Sequence, residues 1–329
     1  MVTFNFFTMK NFVFLTFLAA ALLIVSSCAN SKFYREFAFS AVKNNVCKTL
    51  DDKVVIYAIF VDSKYTGVWN EYDLTSTSDS ICKAINWIEK KAAEDSVDLK
   101  ISLEIHKASN GRLPIKQEFK RKTLSATLYD QKYSDAEREL NKWSDEIAAI
   151  AGKSLPRDKN QTTKTRNNLR DTERLIARLR DIHKTDNIAL LYFVNNYFKD
   201  ELSLALNTDH DKNVEYGVIS FKNPAVIAHE FLHLFGAMDM YVSSLDKKIR
   251  EKKIKLQMNK RFPNEVMTNS PKSLDDLMIS DFTKYLIGWH KELSSDFQKM
   301  YMKKGWKAAS YYVEFLIQWE LWSSLNESA

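Results

Sequence analysis

His229, Glu230, His233, Gly236 and Asp239 fall in one eleven-residue stretch, HEFLHLFGAMD. Two histidines four apart project from the same side of a helix, one turn from each other, so both imidazoles can reach a single tetrahedral metal ion. Glu230 sits beside them, placed to accept a proton from metal-bound water instead of filling a ligand position. Gly236 can end the helix with a positive φ and turn the chain so that Asp239 folds back as a third ligand. A helix that continued would carry Asp239 away. Glu265 is the rival for that third position, although it leaves Gly236 without a purpose. These residue types specify metal-assisted hydrolysis at one catalytic Zn2+, with His229, His233 and Asp239 as ligands and Glu230 as general base. Read instead as hydrogen-bonded core residues, the two histidines would leave Glu230, Gly236 and Asp239 in register for no reason.

The elements that must position this stretch are legible nearby. Asn223-Pro224 is a helix start, since Asn caps free amides and Pro is tolerated at the first helical position. Residues 54–61 (VVIYAIFV) form an apolar, β-branched run, helical spacing follows at Ile81, Ala84, Ile85, Ile88 and Ala92, and 99–105 alternates like a strand. That order predicts a βαβ unit and an α/β domain. The 107–133 excursion is broken by Asn110-Gly111 and Pro114. Ser134 with Glu137 makes a capping box for a helix carrying Ala136, Leu140, Trp143 and Ile147. A second helix is expected over about 165–184, its Arg166, Arg170, Arg174, Arg178 and Arg180 reading as a solvated face or a surface for an acidic partner. Extended segments are expected at 188–194, 202–206 and 214–221, with a polar hairpin at Asp209, Asp211 and Asn213.

HEFLHLFGAMD resembles the metzincin zinc signature, in the variant with Asp as third ligand that the snapalysin-like peptidases carry. Pro263-Asn264-Glu265-Val266-Met267-Thr268, which brings Met267 28 residues after Asp239, resembles the Met-containing turn found beneath the metal in that family. Asn269 stands where some metzincins place an extra tyrosine ligand, so none is expected. The resemblance covers about 54–290, and only the eleven-residue motif is highly specific. It implies a zinc metalloendopeptidase on a twisted mixed sheet with an antiparallel edge strand, a zinc-binding helix and a Met-turn. It also implies that peptide substrate binds in extended form along the edge strand at Ser203, Leu204 and Ala205, with Gly236 and Met267 structural around the site.

The chain has 329 residues, 45% of them hydrophobic, enough for a large core without a metal to hold it together, so the zinc is expected to be catalytic. Lys plus Arg number 48 against 42 Asp plus Glu, and removing Lys10 with a leader leaves about +5, too mild to argue for nucleic acid. Residues 1–27 read as an export signal, with an apolar run over 12–25 ahead of Cys28. Val25-Ser26-Ser27-Cys28 resembles the bacterial lipobox, which implies a lipoprotein of the cell envelope held to a membrane through lipid at Cys28, outside the cytoplasm. An ordinary secretory signal is the other reading. Cys47 and Cys82 then remain as an even pair in a disulfide-permissive compartment, either bridged or as two reduced thiols.

The expected organisation is a signal peptide (1–27), a lipid-anchored tether (28–53), a peptidase domain (54–292) and a C-terminal helical packing segment (293–329). A basic stretch over 246–261, including Lys252, Lys255, Lys260 and Arg261, reads as a solvated helix, or else as one that flanks the cleft and favours acidic substrates or an anionic surface. Two rivals share the motif. One is a lipid-anchored binding protein on a peptidase-like scaffold, against which Glu230 argues because a structural site has no use for a base. The other is a zinc hydrolase acting on a non-peptide amide.

Overall fold

The structure, a computed structural model, describes residues 49–64, 66–108, 110–118, 133–155, 170–195, 204–206, 214–220, 222–242, 249–268 and 272–295. Residues 1–48, which include the expected export signal, Cys28 and Cys47, lie outside the described residues, as do Ser203, residues 207–213 with the expected hairpin, Asn269 and 296–329. Among the described residues no helix is long and apolar enough to cross a membrane.

Strand β1 (Asp52–Asp62) carries the apolar run 54–61, every residue of it buried. A strand apolar on both faces must be covered on both faces, which is the requirement of a parallel sheet between helices. Val54, Ile56, Ala58 and Phe60 belong to one core, and Val55, Tyr57, Ile59 and Val61 to the other. Helix α1 (Glu71–Glu94) follows and brings Ile81, Ala84, Ile85, Ile88 and Ala92 onto the first core. It starts ten residues before that apolar spacing, because Asn70 caps it by accepting from the Asp73 amide. β2 (Leu99–Ile105) returns parallel to β1, completing the expected βαβ unit. Cys82 is exposed on α1.

In the excursion, Gly111 takes φ +80° in a tight turn, and β3 (Ile115–Lys116) pairs parallel with the end of β1. Helix α2 (Tyr133–Ser154) and helix α3 (Asp171–His183) cover the second core through Leu140, Trp143, Ile147, Leu175, Ile176 and Leu179. α3 starts at Asp171, later than the arginine spacing suggests, because Arg170 stands at the N-cap in a box with Glu173. Arg178 and Arg180 differ from a solvated face, while Arg170 and Arg174 are partly exposed beside Glu173 and Asp171 and Arg166 lies outside the described residues. Arg178 donates to the carbonyls of Gly152 and Leu155, and the buried Arg180 donates to the Asp186 carbonyl, so the guanidiniums satisfy main-chain acceptors within the fold.

β4 (Asn187–Val194), β5 (Leu204–Leu206) and β6 (Tyr216–Ile219) complete the sheet, in the order β2-β1-β4-β6-β5 with β3 beside β1. All pairings are parallel except β5 with β6, so the short strand expected at the edge is both terminal and antiparallel. The fold is therefore α/β with a mostly parallel sheet. Helix α4 (Pro224–His233) follows β6 on the first core, beside α1 and near β5. Helix α5 (Ile249–Arg261) carries the 249–261 part of the basic stretch, and its described side chains are mostly exposed apart from the buried Met258 and Lys255. A short 3-10 turn (Leu274–Asp276) and helix α6 (Asp281–Leu286) close this side.

Candidate metal centre

Asn223 accepts from the Ala225 amide at 2.8 Å and Pro224 occupies the first turn, so α4 begins where the sequence places it. The helix is apolar on nearly every side, and its residues 225–233 are all buried. It ends at His233. The Ala237 amide reaches back to the Leu232 carbonyl at 3.2 Å, and Gly236 takes φ +94°, a conformation that costs a side-chain-bearing residue roughly 1–2 kcal/mol. The reversal delivers Asp239 to the two imidazoles. Its Oδ1 lies 3.2 Å from His229 Nε2 and 3.3 Å from His233 Nε2, and the two Nε2 atoms are 3.0 Å apart.

The other nitrogen of each ring is already committed. His229 donates from Nδ1 to the Val266 carbonyl at 2.9 Å, and His233 from Nδ1 to the Ala237 carbonyl at 2.8 Å. Each neutral ring must then present a bare lone pair on Nε2. Two such lone pairs facing each other, with a carboxylate against both, repel unless a proton or a metal ion stands between them. Bonds of 2.0–2.1 Å at tetrahedral angles would set donor atoms about 3.3 Å apart, close to all three separations. Neither Asp239 oxygen has a hydrogen-bond partner among the described residues, although both are buried. The His229, His233 and Asp239 group can therefore hold a metal ion.

Electrostatics point the same way. Burial alone would raise the Asp239 carboxyl, yet the two imidazoles hold it well below the usual carboxylate range. Burial would lower His229, but Asp239 more than offsets this and brings the ring to about 9 in the absence of a cation. A metal ion entering the site must displace that proton. Glu230 is fully buried, and neither of its oxygens has a hydrogen-bond partner among the described residues. Burial pushes its carboxyl up to about 8, with His229 pulling it partly back.

Glu265 lies elsewhere. Its carboxylate accepts from the Ser280 amide and from the Thr283 hydroxyl at 3.0 Å, at the start of α6, so Asp239 and not Glu265 completes the group. Met267 is buried in the core beside α4, and the 265–268 turn around it is closed by the Thr268 amide donating to the Glu265 carbonyl at 2.9 Å. That turn touches both halves of the ligand set. The Val266 carbonyl holds His229, and the Met267 carbonyl accepts from the Met240 amide, next to Asp239, at 2.9 Å.

Two features of the site were not singled out in the sequence. Tyr241 places its ring 6.3 Å from that of His229, and its only sequence signal was its place two residues beyond Asp239. Asp73, in the first turn of α1, accepts from Asn70 at 2.7 Å and Asn195 at 3.0 Å and pairs with Lys222, just ahead of the α4 cap. The Lys222 ammonium, first among these donors, holds the Asp73 carboxyl below its ordinary value. This cluster joins the start of α1, the end of β4 and the approach to α4. No signal short of the tertiary fold brings residues 122 and 149 positions away onto one carboxylate.

Compared with known proteins, the chain matches no family model and no curated sequence.

Proposed function

We propose that this protein is an exported, lipid-anchored zinc endopeptidase of metzincin type, hydrolysing peptide bonds with Glu230 as general base. The observation that carries the proposal is a buried carboxylate with no hydrogen-bond partner among the described residues, one residue along the helix from a ligand set of two imidazoles and one carboxylate. A purely structural metal site gains nothing from such a group, which costs free energy to bury.

His229 and His233 would hold the ion through Nε2 and Asp239 through a carboxylate oxygen. Two neutral rings and one carboxylate suit Zn2+, and they leave a net positive charge. When bound, zinc supplies Lewis acidity toward a carbonyl and lowers the pKa of water. Glu230 takes the proton of the attacking water and returns it to the leaving amine, a role its place beside the two imidazole ligands allows. The Val266 and Ala237 carbonyls fix the tautomer and orientation of the two rings.

A peptide rather than a small amide is favoured by β5. This strand ends the sheet, pairs antiparallel with β6 through Leu204 with Val218 and Ala205 with Gly217, and lies near α4. An extended peptide added to such an edge gains main-chain hydrogen bonds whatever its side chains, and would run past the metal helix. Ser203, Leu204 and Ala205 are the proposed platform. Lipid at Cys28 would keep the enzyme at a membrane of the bacterial envelope, with proteins outside the cytoplasm as substrates.

The test is cleavage of a mixed peptide library by the purified chain, with and without chelator and with zinc restored. Chelator-sensitive, zinc-rescued cleavage of many unrelated peptides is expected. Zinc binding with no cleavage would leave a binding protein, and cleavage confined to non-peptide amides would move the substrate class.

A further inference from the structure

We propose that Glu265 is a positioning residue for the metal centre. Its buried carboxylate clamps the 264–268 turn to the start of α6, so that the Val266 carbonyl keeps His229 aimed at the ion. The inference rests on reading the His229, His233 and Asp239 group as a metal site.

Glu265 is held on three sides. Its amide donates to the Phe262 carbonyl at 3.1 Å, and its own carbonyl accepts from both the amide and the hydroxyl of Thr268, at 2.9 and 2.7 Å. Its carboxylate spans Ser280 and Thr283, while the neighbouring main chain is laced to the segment before α6. The Val266 amide donates to the Met278 carbonyl at 3.0 Å, and the Met278 amide to the Asn264 carbonyl at 2.8 Å. The next two carbonyls along the turn reach the site, that of Val266 to His229 and that of Met267 to the amide beside Asp239. One side chain thus anchors the segment whose main chain grips both halves of the ligand set. Among the described residues no cation pairs with Glu265, and burial pushes its carboxyl up to about 7. A carboxylate kept at that cost, away from any water-activating position, suits an acceptor for several fixed donors, those of Ser280 and Thr283 and the Met267 amide. Hydrogen-bonded groups behind metal ligands typically change metal affinity about 10–100-fold when removed.

The experiment measures zinc affinity by chelator competition, and the visible absorption of the Co2+ form, for the wild type, Glu265→Ala, Glu265→Gln and Thr283→Val, with metal-free melting curves for all four. Gln can accept from the Ser280 amide and donate to the Thr283 hydroxyl, so it should restore the clamp. The expected result is zinc affinity at least about tenfold weaker in Glu265→Ala, with an altered cobalt band. Glu265→Gln should stay within about threefold of wild type, with the wild-type band. Thr283→Val, which removes one of these donors, should weaken zinc measurably without unfolding the metal-free protein, and it decides the matter should Glu265→Ala not fold. Unchanged zinc affinity in a folded Glu265→Ala, or in Thr283→Val if the alanine variant does not fold, overturns the positioning role while leaving the metal centre intact. Failure of the wild type to bind zinc overturns the metal centre and the positioning role with it.

Discussion

Raising the pH from 5 to 8 should cost this protein stability through Glu265, and Glu265→Gln should remove that cost. The Glu265 carboxyl is raised from 4.5 to about 7 by burial, which the Ser280 amide and hydroxyl, the Thr283 hydroxyl and the Met267 amide offset only in part. Between those values the folded state keeps a proton that the unfolded chain has lost, so stability falls as pH rises. The contribution is fully present below the unfolded value near 4.5 and lost as pH rises through about 7. A shift of that size, integrated from pH 5 to pH 8 at about 1.4 kcal/mol per unit, amounts to roughly 2–3 kcal/mol. Other groups titrate in the same range, Glu230 among them, but they are common to both proteins and cancel in the comparison. The assay is urea unfolding of metal-free wild type and Glu265→Gln at both pH values. Relative to wild type, the variant should gain about 2–3 kcal/mol on going from pH 5 to pH 8. Parallel pH profiles for the two proteins would refute the burial and ionisation assigned to Glu265.

Gly236→Ala forces a side chain onto a backbone at φ +94°, so it should lower stability by about 1–2 kcal/mol and weaken zinc binding, read by melting and chelator competition. An unchanged zinc affinity would separate Asp239 from the turn thought to deliver it. Asp73→Ala leaves donors of Asn70, Asn195 and Lys222 without their shared acceptor and should destabilise by about 2 kcal/mol, discounted for the partial exposure of Lys222. Denaturant midpoints equal to wild type would mean that this cluster does not hold α1 to the approach of α4.

Local patterns carried much of this structure. The apolar run 54–61 could only be a strand covered on both faces, and the Asn223-Pro224 start and Gly236 exit bounded α4 from both ends. The meeting of Asp239 with the histidines followed from the turn that Gly236 allows. Long-range partners were hidden. Arg178 and Arg180 look like any charged helix face until the carbonyls they serve are brought beside them. Glu265 stayed open as a rival ligand because its real partners, Ser280 and Thr283, belong to a later helix with no pattern linking them to it. Asp73 was hidden for the same reason, since its acceptor role exists only once β4 and the approach to α4 converge on α1.

The most direct measurement is zinc content and cleavage of an unfolded protein, taken together on wild type and Glu230→Gln. The variant keeps the size of the side chain and every metal ligand but loses the base. One zinc per chain in both proteins is predicted, with cleavage by the wild type and a loss of at least about 100-fold in the variant. Wild-type protein that holds no zinc, or a Glu230→Gln variant that cleaves within a few-fold of wild type, would contradict the proposed zinc-dependent hydrolysis.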